Sequence, residues 1–424
     1  MPGISAVPNE ILEEIFWRCL PSPPDRGLAS EFPSILYIDP SSATAPLLLC
    51  QICRRWRELA TSSPCLWASL NTVSARTSEQ LELWLSRARH RNLSLRIERR
   101  YLYHPHPHYP SSSALYLPLL VTKFSRCQAL ALKNWPAPSD FAMPASFPQL
   151  ESLWVQMSND ALEEARSISR PLLGHAPRLR CLHWDGPDVP LPWGQLLYLS
   201  WRPANMDIFS RTVHQFTSIT TLQLDFSWRF FEGISLPEPC VVPQVATLFF
   251  GGNAAGLRTI ITPLLRHLVL QKLTVEDDTE QDLAIIHLLE RSCCAIVTLE
   301  IYEGCSPSFP CLVLLHDCIA PSLTRLVISS HDLNDFFSSI ETMVPDTLPM
   351  NVRLLRAVDR CFHIDRLDFC APGTSTSALA RVLARCFPCL VQLDLDDGFC
   401  WDDDDESDVF ETSVVIGGER TFMV

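Results

Sequence analysis

Eleven times between residues 127 and 395 the chain repeats one short phrase, apolar-x-x-Leu-x-apolar. The copies read CQALAL, LESLWV, LRCLHW, LLYLSW, ITTLQL, VATLFF, LRHLVL, IVTLEI, LTRLVI, IDRLDF and LVQLDL. Their central leucines are Leu130, Leu153, Leu182, Leu199, Leu222, Leu248, Leu268, Leu299, Leu326, Leu367 and Leu393. The spacing runs from 17 to 41 residues with a mean near 26, which suits a unit of one strand plus one return segment. Alternation puts the leucine and the apolar residue two positions later on one face of a short strand. Between strands the chain must come back, and residues 160–173, 279–292 and 377–386 have helical spacing for that purpose. A single unit is too small to bury its own apolar face, so neighbours must stack. Five copies follow a small lead-in, FPQL, APRL, VPQV, APSL or FPCL. Its proline ends whatever helix came before. The positions between the leucines, such as Gln223, Glu300, Arg325 and Asp394, are expected to point outward to solvent, and the uneven spacing predicts uneven curvature.

The first hundred residues have a different pattern. Residues 8–20 read as a helix with Asn9 as N-cap and Ile11, Leu12, Ile15 and Phe16 on one face, ended by Pro21. The Pro- and Ser-rich stretch 21–44 reads as a loop. A second helix is expected over about 45–61, with Leu48, Leu49, Ile52, Trp56 and Leu59 sharing a face opposite Arg54, Arg55, Arg57 and Glu58. A turn carrying Leu66 and Trp67 follows, then a helix at 78–90 and a strand alternating at Leu93, Leu95 and Ile97.

These pieces carry a resemblance. Val7-Pro8-Asn9-Glu10-Ile11-Leu12, then Ile15-Phe16, then Ile52-Cys53-Arg54-Arg55-Trp56-Arg57-Glu58-Leu59-Ala60, then Pro64-Cys65-Leu66-Trp67 match the F-box in order and chemistry. Val7 stands where the family usually has Leu, and residues 21–44 are an insertion between the first two helices. With the repeats behind it, the chain resembles F-box proteins with a C-terminal leucine-rich-repeat-like domain, a type abundant in mushroom-forming fungi. The resemblance implies an α/β protein: a small all-helical F-box module at 1–72, a connector helix and strand with a His/Pro loop at 73–126, an irregular leucine-rich-repeat solenoid, or horseshoe, at 127–398, and an unstructured acidic tail at 399–424. It also implies a role as the substrate-recognition adaptor of an SCF-type cullin–RING ubiquitin ligase. A Skp-class adaptor, and through it a cullin, would dock on Pro8, Ile11, Leu12, Ile15, Phe16, Ile52, Trp56, Leu59, Leu66 and Trp67. The repeats would take an unknown protein substrate. Such a protein positions its partners without catalysing and needs no cofactor. From the residues alone, a helical piece this short cannot bury all these side chains internally, so it should leave an apolar patch for a partner. Two rivals are an F-box scaffold that does not lead to ubiquitylation and a cryptic hydrolytic or metal-dependent enzyme.

Charge narrows the partners. The net charge is −14, but the segment 394–408 alone holds nine carboxylates and no Lys or Arg. The remainder therefore carries −5, and gives no electrostatic reason to seek nucleic acid or an anionic membrane. No run of about 18 apolar residues exists to cross a bilayer. Seventeen cysteines are scattered without a disulfide rhythm, as expected of reduced thiols in a cytoplasmic or nuclear protein. The Cys50/Cys53 and Cys386/Cys389 pairs lack the two further ligands a zinc site needs. His104, His106 and His108 alternate with prolines, which reads as a stiff exposed loop, with weak metal binding as the alternative. Asp402–Glu406 reads as a solvated charge run and residues 414–416 as a stray strand. Phosphate loops, dinucleotide glycine motifs, GxSxG and HExxH are missing from the sequence, and only 14 of 424 residues are glycine.

Overall fold

The computed structural model describes residues 7–21, 37–72, 77–98, 118–135, 146–157, 175–185, 191–203, 206–226, 238–274, 278–302, 309, 313, 322–329, 354–358, 392–396 and 411–415. The protein is α/β, rich in parallel sheet and with few helices, and divides into two compact units, Met1–Ala204 and Asn205–Val424.

In the first unit, helices α1 (Asn9–Arg18), α2 (Leu49–Ile52) and α3 (Arg54–Ser62) lead through a 3₁₀ turn at Pro64–Trp67 into strand β1 (Ser69–Asn71). Helix α4 (Ser78–Arg87) follows, and then β2 (Leu93–Glu98), β3 (Cys127–Trp135), β4 (Ser152–Met157), β5 (Cys181–Asp185) and β6 (Tyr198–Trp201). The strands lie side by side in chain order and every pairing is parallel.

The second unit opens with α5 (Met206–Val213), β7 (Thr221–Phe226), β8 (Cys240–Val241), β9 (Thr247–Asn253), β10 (Ile260–Ile261) and β11 (His267–Thr274). Helix α6 (Asp278–Ser292) and strands β12 (Thr298–Ile301), β13 (Arg325–Ser329), β14 (Leu354–Val358), β15 (Gln392–Asp396) and β16 (Glu411–Val415) follow. Its sheet runs β7-β9-β11-β12-β13-β14-β15-β16, parallel until the last pair, which is antiparallel. Strands β8 and β10 form a separate parallel pair.

One ladder explains this order. In the first unit Leu70, Leu95, Leu130, Leu153, Leu182 and Leu199 are successive register partners. In the second, Leu222, Leu248, Leu268, Leu299, Leu326, Leu355 and Leu393 are. The eleven whose side chains are described are no more than 1% exposed. Two residues on, Ile97, Leu132, Val155, Trp184 and Trp201, and likewise Leu224, Phe250, Leu270, Ile301 and Ile328, form a second buried row on the same face. Burying one such side chain contributes ~1.5–3 kcal/mol. A one-residue slip would turn every rung to the opposite face, so register and burial enforce each other.

The lead-ins FPQL and APRL are turns that fold two apolar side chains inward. The amide of Leu150 donates to the Phe147 carbonyl (3.2 Å) and that of Leu179 to the Ala176 carbonyl (3.1 Å), and Phe147, Leu150, Ala176 and Leu179 are all buried. Thr262–Leu265 makes the same turn. Just past each turn, one carbonyl accepts two amides of the next strand's start. Glu151 receives Arg180 and Cys181, Ala246 receives Arg266 and His267, and Val297 receives Thr324 and Arg325. This bond pattern keeps consecutive strands parallel and in step.

Several expectations need correction. The N-terminal helices do not form a separate all-helical module, because residues 69–71 are already a strand paired with β2. Leu70 and Leu95 supply two rungs ahead of the first copy of the repeated phrase. The helix expected over 45–61 is broken at Cys53, which is extended at φ −157° and ψ 171° and caps α3 by accepting the Trp56 amide on its sulfur. Asn9 is the first residue of α1, not its cap; its side-chain oxygen instead accepts from Arg55. The rung after Leu326 is Leu355 in β14, a strand the leucine phrase did not mark, whereas Leu367 lies outside the described residues. β16 lies within the tail expected to lack structure, and includes Val414 and Val415. The expected helix at 279–292 is α6, and the one at 78–90 is α4, capped by Thr77; α5 was not anticipated. Segments 160–173 and 377–386, the His/Pro loop and Cys386/Cys389 lie outside the described residues.

The ladder makes a quantitative prediction. Leu268→Ala empties a site with no exposed surface and should cost ~2–5 kcal/mol. Leu264→Ala, at a side chain 53% exposed, should stay within ~0.5 kcal/mol. The urea midpoints of the two variants, compared with the parent chain, check the difference.

Candidate functional site

Helix α1 is amphipathic in two directions. Leu12 and Phe16, four residues apart, are fully buried and face α3, where the Phe16 and Trp56 rings sit 4.9 Å apart. Polar contacts pin this arrangement at both ends. The Arg55 guanidinium donates to the Val7 carbonyl (2.6 Å) and to Asn9 Oδ1 (2.7 Å), and the Ser63 hydroxyl donates to Glu13 Oε1 (2.8 Å). With that face committed, Ile11 and Ile15 are turned to solvent, 52% and 40% exposed.

The break at Cys53 has a similar effect on the second helix. A continuous helix would place Leu48, Leu49, Ile52, Trp56 and Leu59 on one face. The break separates them: Leu49 and Leu59 are buried, Trp56 is half-buried, and Leu48 and Ile52 are exposed. Of the ten residues picked out by the resemblance, Leu12, Phe16, Leu59, Leu66 and Trp67 belong to the interior. Trp56 is intermediate, and Pro8, Ile11, Ile15 and Ile52 are open to solvent. Trp67 is an internal anchor. Its ring nitrogen donates to the Ala60 carbonyl (2.8 Å), Trp84 packs edge-on at 4.8 Å, and the Arg87 guanidinium lies 4.3 Å above the ring.

Sequence reasoning gave no weight to Trp17, which is 56% exposed. It sits off the apolar stripe, so helical period could not flag it. A large aromatic beside a stripe already wide enough to fill the core was the available signal. Around the patch, Arg18–Glu14 and Arg54–Glu58 make exposed ion pairs at 2.8 Å, of the kind that contributes little to stability. Cys53 is exposed and Cys50 half-buried. Among the described residues, no group of three or more His, Cys, Asp or Glu is placed to hold a metal, and no helix is long and apolar enough to cross a membrane.

No family model matches this chain. No curated protein matches it either. What the chain can bind must therefore be read from its own surfaces.

The second candidate surface is the sheet face opposite the leucine ladder. In the first unit it carries Trp154 and His183, register partners whose rings stack at 4.0 Å, with His183 Nδ1 2.8 Å from the Ser200 hydroxyl. Two residues along, Glu98 meets Arg96 at 2.9 Å and Lys133 at 3.7 Å, and Arg202 meets Asp185 at 3.4 Å. All of these side chains except the Ser200 side chain are partly exposed.

In the second unit the same row reads Phe249, Val269, Glu300 and Val327, and all four are buried. This overturns the expectation that Glu300 faces solvent. It has no exposed surface. Its Oε1 lies 3.1 Å from His267 Nε2 and 3.8 Å from Arg325, and its Oε2 accepts the Tyr302 hydroxyl at 2.7 Å. Alternation reports which face a residue is on; it does not report whether that face is covered. Gln223 and Arg325 are half-exposed, and the Asp394 side chain lies outside the described residues.

Burial by itself would raise the Glu300 carboxyl. The hydrogen bonds from His267 and Tyr302 and the charges of His267 and Arg325 outweigh it and hold the carboxyl below its ordinary value. A carboxylate depressed on folding stabilises the folded state above its unfolded pKa of ~4.3. That contribution is lost as pH falls from there through the lower folded value. Thermal unfolding followed from pH 6 down to pH 3 should therefore show a steeper fall for the native chain than for Glu300→Gln, with the difference confined to the acid end. Equal slopes would remove the carboxylate from the account.

Proposed function

We propose that the chain is a non-enzymatic adaptor of the F-box, leucine-rich-repeat-like type. In this reading a Skp-class adaptor docks on the N-terminal helices, and the repeating sheet presents a protein substrate to a cullin–RING ubiquitin ligase. The observation that carries the proposal is the division of the N-terminal apolar residues. Leu12, Phe16, Leu59, Leu66 and Trp67 complete the internal core, yet Ile11, Ile15, Trp17, Leu48 and Ile52 remain between 40% and 56% exposed. Large apolar side chains left bare on the short N-terminal helices point to a protein partner. Burying a handful of them at ~1.5–3 kcal/mol each is enough to offset the cost of association. The F-box resemblance supplies the identity of that partner. Trp154 and His183 on the first unit's sheet, flanked by paired charges, have the aromatic-plus-polar make-up of a recognition surface.

The structure sharpens the choice of variants. Leu12→Ala would damage the core along with any interface, whereas Ile11→Ser with Ile15→Ser alters only solvent-facing positions. The double variant should keep the parent's unfolding midpoint and lose Skp-class adaptor recovery in affinity co-purification by at least about ten-fold, a change of ~1.4 kcal/mol. Recovery at the parent level, or no adaptor with the parent chain, refutes the reading. If the bound substrates are ubiquitylated, proteasome inhibition should raise their abundance in cells with the parent chain but not with the double variant.

A further inference from the structure

A cavity of about 230 Å³ opens in the second unit where the end of α5 meets the small β8/β10 sheet. It is well separated in sequence from the proposed docking surface. Phe209, Val213 and Pro239 give it apolar walls, and His214, Glu238 and Cys240 give it chemistry. Its wall is firmly built. Phe209 packs edge-on against Phe226 at 5.3 Å, and Phe226 closes so tightly on Gly256 that a Cβ there would come within 2.9 Å of the ring.

The pairing of His214 and Cys240 arises from two unrelated segments. Register with Ile260 fixes Cys240 on β8. His214 is the first residue beyond α5 and is exposed. Their Nδ1 and Sγ lie 3.1 Å apart, closer than the 3.8 Å from Sγ to the Val241 carbonyl. Burial pushes the Cys240 thiol up, so a free resting thiolate is disfavoured. An imidazole already in contact can take the proton as the sulfur reacts, which is the arrangement of an activated nucleophile.

We propose that Cys240, with His214 as its general base, is a modification site for small unsaturated-carbonyl electrophiles admitted by the cavity. The thiol proton passes to Nδ1 of His214. The sulfur forms a bond to the β-carbon of the electrophile while the carbon–carbon π bond breaks. Its electron pair moves to the α-carbon and carbonyl as an enolate. The imidazolium then returns the proton to the α-carbon, so the adduct forms without any oxidant or further reactant.

Acrylamide is a suitable probe, applied to the full chain in limiting amount and followed by peptide mapping. Cys19 and Cys65 are exposed references, and Cys294, buried in the same unit with its thiol pushed up to about 11, reports that the unit is folded. In the native chain Cys240 should be modified at least about ten-fold faster than Cys19 or Cys65, despite being far less exposed, since general-base assistance contributes ~10²-fold or more. His214→Ala and the similarly sized His214→Gln should each bring it down to or below the reference rate while Cys294 stays unmodified. The proposal is overturned if native Cys240 reacts no faster than Cys65. It is equally overturned if either variant leaves the Cys240 rate unchanged with Cys294 still protected. The native comparison decides even if one variant exposes Cys294.

Discussion

The register-locked leucine column is the constraint on which the rest of this molecule depends. A parallel strand pair has no short turn to hold it in place, so alignment must come from what the side chains bury and from how each strand is started. Here both act together. Each leucine sits opposite the next, the eleven whose side chains are described with essentially no exposed surface, and a carbonyl just ahead of one strand receives two amides from the start of the next. Since the sheet face carrying the ladder is fully used in this way, any variation in function must lie on the opposite face, in the returns, or in the helices that precede the first strand.

Those helices show how a core is completed and a surface left over. Leu12 and Phe16 face α3 and are held there by Arg55 and Ser63, so Ile11 and Ile15, beside them on the same stripe, are left about half exposed. A stripe wider than one neighbouring helix can cover will always leave its margin in water. The Cys53 break acts alike: it turns a single wide apolar face into a buried part and an exposed part. The exposed remainder is a product of packing geometry rather than of hydrophobicity alone, since the buried and exposed isoleucines and leucines are chemically equivalent.

Much of the fold was legible. The central leucines marked ten strands correctly because alternation at period two has one structural meaning in a short segment, and α4 and α6 followed from helical period. Leu70 and Leu95 were harder to see as rungs, because SLN is too short to show alternation and LSLRIE lacks the preceding apolar residue of the repeated phrase. Leu355 was missed because its copy of the phrase, VRLLRA, ends on the small, weakly apolar Ala357. Glu300 was misread for a different reason: its position in the alternation was right, but the side that alternation assigns to solvent is covered in the second unit.

Local pattern settled which residues form strands, which of their side chains share a face, and that the N-terminal helices carry more apolar surface than a small core needs. Those properties depend on neighbours within a few positions along the chain. Tertiary structure decided which of those apolar residues stay bare, that a glutamate is enclosed with His267, Tyr302 and Arg325, and that His214 meets Cys240 beside a cavity. Apart from Tyr302, two positions beyond Glu300 in the same segment, these contacts join segments 25 or more residues apart, and no periodicity along a single segment encodes which distant side chain will stand opposite.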